Sequence, residues 1–197
     1  MKIILATKNK GKIKDFEKLT EGMDLEVVTI LDEMDIPDVV EDGDTFEENS
    51  MKKAKEIAGY TGIVTISDDS GLCVDYLDGG PGVYSARFAG ENASDRERNE
   101  KLLEVMKDVK KEDRQAHFVS VVSIAFPNGE IHSFRGEVNG EILFELRGSN
   151  GFGYNPLFYS YELKKSFGEA DDEERKKVSH RARAFRKLID SGLLKEK

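Results

Sequence analysis

Two adjacent aspartates, Asp68-Asp69, followed by Ser70-Gly71, close a β-rich run from Ile63 to Ser67. In an extended chain, neighbouring side chains point to opposite faces, so one carboxylate of the pair meets a ligand squarely and the other turns away. A divalent cation relieves their repulsion. Oxygen ligands beside phosphate favour Mg²⁺, which keeps several waters and takes only one or two carboxylates from a protein. An Asp-Ser-Gly turn has the same residues. Their place at the end of a strand, where ligands gather in open α/β sheets, tilts the reading towards a site. The acidic loop Glu41-Asp42-Gly43-Asp44 offers a second ligand and reads equally well as a solvated loop.

Three other segments carry chemistry of a matching kind. Thr7-Lys8-Asn9-Lys10-Gly11-Lys12 is a strand-to-helix turn with three lysines. Amides at a helix start attract anions, and Gly11 allows close approach to a ligand. The spacing is not that of a P-loop. Phe152-Gly153-Tyr154-Asn155-Pro156 sets aromatics among glycines. Such a ring stacks on a base while Asn155 reads its edge, or else both rings pack in a core. Arg175-Lys176-Lys177-Val178-Ser179-His180-Arg181 gathers basic residues, either as a solvated helix face or as the lining of a base pocket. No Gly-x-Ser-x-Gly elbow is present, and the three histidines are too scattered for a zinc motif.

The elements that must position these segments follow from periodicity. Lys2–Thr7 and Leu25–Ile30 read as strands, with Ile13, Phe16 and Leu19 at helical spacing between them, a βαβ opening. Thr45-Phe46-Glu47-Glu48 and Ser94-Asp95-Arg96-Glu97 are capping boxes. The first opens a helix towards Tyr60, with Asn49 and Lys53 on one polar stripe. His117–Phe126 and Ile131–Val138 form a hairpin over Pro127-Asn128-Gly129, and Asn139-Gly140 makes a second hairpin turn into Ile142–Leu146. A last helix spans about 172–189. The predicted fold is α/β, with a mixed sheet rather than a doubly wound one, in a single domain over residues 1–197.

The 38% hydrophobic and 35% charged residues suit a core beneath a well-solvated surface. A formal net charge of −9 disfavours a nucleic-acid polymer as partner. No stretch approaches the roughly 20 apolar residues of a membrane span. The first residues read as a strand rather than a signal peptide, so a cytoplasmic location is expected. Cys73 is the single cysteine, which rules out an internal disulfide.

Taken in order, these segments resemble the inosine triphosphate pyrophosphatase family over nearly the whole chain. The matching blocks are the Thr7–Lys12 turn, Thr45-Phe46-Glu47-Glu48-Asn49, Asp68-Asp69-Ser70-Gly71-Leu72, Gly80-Pro81-Gly82-Val83-Tyr84-Ser85-Ala86-Arg87, Gly151-Phe152-Gly153-Tyr154 and Ser179-His180-Arg181. Each is weak alone, and six in register are specific. The resemblance implies an elongated mixed central β-sheet flanked by helices, two lobes with a cleft between them, a homodimer and a Mg²⁺ requirement. It implies hydrolysis of ITP, dITP and XTP to the monophosphate and pyrophosphate.

By position, the resemblance assigns Thr7, Lys8, Asn9, Lys10, Gly11 and Lys12 to the triphosphate, and Asp69 to the metal and the base chemistry. Ser70 would touch substrate, and Phe152, Gly153, Tyr154, Asn155, His180 and Arg181 would hold the purine. Lys53 joins Lys12 in neutralising the phosphates. Glu41 is the expected second metal ligand, with Asp38 as the alternative. Two positions depart from the family pattern: Asn155 replaces an aspartate, and Arg175 a lysine. Asn155 loses charge and gains a donor; Arg175 keeps charge with a different geometry. Two competing functions share many of these features: a pyrophosphatase for modified pyrimidine triphosphates, and a nucleotide sensor without turnover.

Overall fold

The computed structural model describes residues 1–30, 36 and 38–194. Its sheet starts from β1 (Lys2–Leu5), whose alternating side chains are buried on both sides. Ile3 and Leu5 meet one hydrophobic layer, and Ile4 and Ala6 meet another. Burial on both faces is characteristic of parallel strands covered by helices. β1 pairs in parallel with β2 (Glu26–Thr29) and with β3 (Thr65–Val74). Parallel neighbours need crossover connections, which contain α1 (Lys10–Thr20) and α2 (Phe46–Thr61).

The sheet continues through β4 (Gln115–Ala125), β5 (Ile131–Ile142), β6 (Phe158–Ser160) and β7 (Lys165–Ser166), in the order β2-β1-β3-β4-β5-β6-β7. β6 runs antiparallel to both its neighbours. The sheet is therefore mixed, as expected. The remaining helices are α3 (Asp95–Val105), α4 (Asp172–Val178) and α5 (His180–Asp190). No helix among the described residues is long and apolar enough to cross a membrane.

The chain divides into two units. The first comprises residues 1–69, 120–136 and the C-terminal segment from Arg181. Ile13 and Phe16 of α1 pack with Ala184, Phe185 and Leu188 of α5 over Ile3, Leu5 and Ile66. Phe16 and Phe185 meet edge to face at 4.9 Å. Ile57 of α2 joins Ile4 and Ala6, and Ala54 and Ala58 join Ala125. The second unit comprises residues 70–119 and 137–180. Its core gathers Leu72, Val74, Leu102, Met106, Phe118, Val138, Tyr154, Phe158 and Phe167.

Both predicted capping boxes are formed, at Thr45/Glu48 and Ser94/Glu97. Asp171/Glu174 adds a third, at the start of α4. Removing the Thr45 hydroxyl leaves the Glu48 amide without its acceptor at 3.1 Å. Thr45→Ala is therefore expected to lower stability by about 1 kcal/mol, read from urea unfolding followed by circular dichroism.

Four expectations are corrected. β1 stops at Leu5 rather than Thr7, because the Thr7 N–H turns back to the Leu5 carbonyl. β3 does not end before Asp68-Asp69; it runs through both to Val74, because the buried Asp68 finds counter-charges within its own unit. Asn139-Gly140 is not a turn, since β5 passes straight through it to Ile142. Gly140 is there for close approach: a Cβ would lie 3.0 Å or less from the Phe158 ring and would strike the Tyr159 carbonyl. The predicted last helix splits at Ser179, whose extended backbone (φ −63°, ψ 152°) separates α4 from α5. Serine's competing backbone hydrogen bonding makes it a weak helix continuer.

Candidate active site

The alternation of β3 decides what each aspartate meets. Asp68 shares a face with Ile66, the face that α1 and α5 cover. Lys12 of α1 sets its Nζ 2.9 Å from Asp68 Oδ2 and donates to the Asp68 carbonyl at 3.1 Å. Arg181 of α5 reaches the same carboxylate through Nη2 at 3.3 Å, and donates through Nη1 to Asp15 at 2.6 Å. The Ser120 hydroxyl donates to Asp68 Oδ1 at 2.5 Å. Burial alone would raise the proton affinity of Asp68. Arg181, Lys12 and Ser120 together outweigh it and hold the carboxyl well below the usual range.

Asp69 shares the opposite face with Ser67, under α2. The Ser50 and Ser67 hydroxyls lie 2.9 Å apart, which ties α2 to β3, and Lys53 follows Ser50 by three residues on the same helix. Burial pushes the Asp69 carboxyl up to about 6; Lys12 and Lys53 pull it down, and Glu41 and Asp68 push it up. Glu41 forms an ion pair with Lys53. Its loop is anchored on α2: the Gly43 N–H donates to Asn49 Oδ1 at 2.8 Å, and a Cβ at Gly43 would crowd Glu48 and Asn49. Asp38 pairs with Lys8 at the surface. Lys12, Lys53, Asp69 and Glu41 are thus gathered within one unit.

The Thr7–Lys12 turn is built differently from its expectation. Asn9 caps α1, and its Oδ1 accepts from the Gly11 and Lys12 amides at 2.9 and 3.1 Å. Those two amides are thus engaged within the turn itself. Lys8 and Lys10 are exposed, and Thr7 is buried with its Oγ1 accepting from the Asn9 N–H.

In the second unit, the glycine-rich loop separates its two aromatics. Tyr154 is core: its ring is buried, and its hydroxyl donates to the Ser85 carbonyl at 2.7 Å. Phe152 is half-buried and outside that core. Asn155 and Arg175 lie together beneath Gly151, where a Cβ would sit 3.2 Å from Asn155 Cγ and 3.5 Å from Arg175 Cζ. Arg175 donates to the Phe167 and Ala170 carbonyls and pairs with Asp172. His180 stacks on Phe118 at 4.8 Å. Ser70 is half-buried. Arg181, expected to face the purine, directs Nε, Nη1 and Nη2 at the carboxylates of Asp68 and Asp15.

The Ham1 family profile matches residues 3–191. The chain belongs to the Ham1 family. A dITP/XTP pyrophosphatase of Desulforamulus reducens is 47% identical over 96% of this chain and 94% of its own length. One of Geobacter sulfurreducens is 45% identical over 96% and 95%. Among solved structures, the Ham1 protein of Staphylococcus aureus matches with a TM-score of 0.86 at 41% identity, covering 98% of each chain. That of Coxiella burnetii matches with a TM-score of 0.88 at 36% identity, over 97% of this chain and 98% of its own.

The acidic groups of this Ham1-family chain fit a hard divalent cation. Among the described residues, no three His, Cys, Asp or Glu side chains converge as a protein-only metal cage. Glu41 is near enough to Asp69 to raise the cost of ionising it. Two carboxylates beside two lysines suit an ion that takes most of its remaining ligands from water and phosphate. Sequence reading missed Asp15 and Ser120, which help to fix the charged network, and Asp95 and Asn99, which hold the glycine-rich loop. Asp15 had a local signal, lying one helical turn after Lys12 on α1. The contacts of Ser120 had none.

Proposed function

We propose that this chain hydrolyses the non-standard purine nucleoside triphosphates ITP, dITP and XTP to the nucleoside monophosphate and pyrophosphate. The observation that carries this reading is the gathering of the buried Asp69 carboxylate with Lys12, Lys53 and Glu41 in one unit, where Glu41 is ion-paired to Lys53. The names of the 45–47% identical relatives support the same substrate class. The whole chain acts in this reading as one catalytic domain, in a cytoplasmic homodimer.

Lys12 and Lys53 neutralise the triphosphate, together with Lys8 and Lys10 at the rim. Asp69 and Glu41 would hold Mg²⁺, which would supply positive charge at the phosphate oxygens. Lys53 then exchanges its Glu41 partner for phosphate. Asp69 orients a water and accepts its proton as the water oxygen bonds to the α-phosphorus. The bond from the α-phosphorus to the bridging oxygen breaks, and pyrophosphate departs towards the lysines. Positioning and electrostatics supply most of the catalysis in such transfers. Phe152 stacks on the purine, with Gly153, Asn155, Arg175 and His180 shaping its surroundings. A donor directed at position 6 donates to a keto oxygen and leaves an amino group unpaired.

Incubation with ITP and Mg²⁺ is expected to yield IMP and pyrophosphate. ATP is expected to be cleaved about a hundredfold less efficiently or worse. IDP and phosphate as products would refute attack at the α-phosphorus. Binding of ITP without any product would favour the sensor, and preference for a modified pyrimidine triphosphate would favour the competing pyrophosphatase.

A further inference from the structure

The glycine-rich loop is anchored ahead of Gly153, where the Asn150 N–H donates to the Gly168 carbonyl at 2.9 Å and Asn150 Nδ2 to the Ala170 carbonyl at 3.2 Å. Gly151 and Gly153 both adopt left-handed backbone (φ +77° and +63°), and no atom lies within 4 Å of where a Gly153 Cβ would be. On the far side the chain is fixed, because Tyr154 is buried and bonded to Ser85. The Gly153 peptide groups set the path of the chain between Phe152 and these anchors, and they are gripped from outside.

That grip comes from α3. The Gly153 N–H donates to Asp95 Oδ2 at 2.7 Å, and the Gly153 carbonyl accepts from Asn99 Nδ2 at 2.8 Å. Asp95 and Asn99 are four residues apart, so they stand on one helix face. The Asn99 Nδ2 also donates to the Asp95 carbonyl at 2.7 Å. Asp95 is in turn oriented by an ion pair with Arg98, which is itself anchored on the Ala86 and Ala93 carbonyls. The Ser94/Glu97 capping box makes the first turn of α3 a firm base for the pair.

We propose that Asp95 and Asn99 are positioning residues for purine recognition: by holding both hydrogen-bonding groups of Gly153, they fix how Phe152 and Asn155 meet the base. The inference rests on the reading of Phe152–Asn155 as the base-holding loop. The side chain of Asp95 is 45% exposed, so its bond to Gly153 adds little to global stability while it fixes the loop's direction. A group of this kind acts on substrate alignment more than on folding.

The test compares Asp95→Ala, Asp95→Asn, Asn99→Leu and Phe152→Ala for KM and kcat with ITP, the ITP-to-ATP ratio of kcat/KM, and thermal melting. Asp95→Ala and Asn99→Leu are each expected to raise KM for ITP and to lower the ratio by about tenfold, with kcat within about twofold. Asp95→Asn keeps an acceptor for the Gly153 N–H and is expected to restore both to within about threefold of wild type. Asn99 is buried, so if Asn99→Leu does not fold, the half-exposed Asp95→Ala is the deciding variant. A purely structural role would lower the melting temperature without moving KM or the ratio, and would overturn the proposal. Unchanged KM and ratio in Asp95→Ala, beside a raised KM in Phe152→Ala, would overturn it while leaving the base-holding loop intact. Unchanged values in Phe152→Ala would instead remove the base-holding reading, and this inference with it.

Discussion

Asp69→Asn is expected to lower pyrophosphate release from ITP by about a thousandfold while making the metal-free protein more stable at neutral pH. The two effects have one origin. Burial, with Glu41 and Asp68 adding to it, raises the folded pKa of Asp69 from 3.8 to about 6. Asp69 therefore holds its proton more tightly folded than unfolded. Its contribution to stability is most favourable below pH 4, roughly its unfolded value, and is lost as pH rises through 6. Above pH 6 the ionised carboxylate costs the metal-free fold about 3 kcal/mol, which asparagine does not incur. Urea unfolding in EDTA should show the variant and wild type matching near pH 4 and diverging by pH 8. Wild-type-like turnover would end the proposed mechanism. A stability difference independent of pH would end the account of its buried charge.

The sequence made legible what local chemistry determines. The boxes at Thr45 and Ser94 need only four consecutive residues each, and both are formed. The alternation that sends Asp68 and Asp69 to opposite faces needs only a strand. The end of that strand was misjudged because the charges that stabilise Asp68 come from Lys12 and Arg181, 56 and 113 residues away in the chain. Gly140 was read as a turn because its reason lies in Phe158 and Tyr159 of a neighbouring strand. The candidate site shows the same division. The lysines of the Thr7–Lys12 turn were visible as charge, whereas the capture of two amides by Asn9 depends on cap geometry. Phe152 and Tyr154 look equivalent in sequence; the burial of the Tyr154 ring and its hydroxyl contact to Ser85 assign one of them to the core.

These differences separate two jobs that a run of charged motifs blends together. Asp68 and Arg181 form the fixed part of the charged network, whereas Asp69, Glu41 and Lys53 are the part that the proposed mechanism assigns to metal and phosphate. Lys12 belongs to both, since it touches Asp68 and also lowers the pKa of Asp69. A lysine held at two points by a buried aspartate is pre-oriented, so less freedom is lost when phosphate arrives.

Arg181→Met is expected to destabilise the protein by about 3 kcal/mol or more at pH 7, because it leaves the buried Asp68 carboxylate with only part of its compensation. In a chain of 197 residues this corresponds to a fall in melting temperature of about 6–12 °C. The sign of the pH dependence follows from Asp68, whose folded pKa is depressed: its stabilising contribution is present above the ordinary carboxylate range and is lost as pH falls through the folded value. In Arg181→Met that value rises, so protonation relieves the uncompensated charge earlier. The deficit against wild type should therefore shrink between pH 7 and pH 3.5, as measured by urea midpoints. Asp68→Asn with Arg181→Met should cost less than the two single changes added together, since each single change strands the other partner. Additivity within about 0.5 kcal/mol would mean that Arg181 and Asp68 do not act as a pair. Asp68→Asn alone also loosens the tether of Lys12, so its KM for ITP should rise even where the fold survives, which links the fixed network to the phosphate-holding lysine it orients.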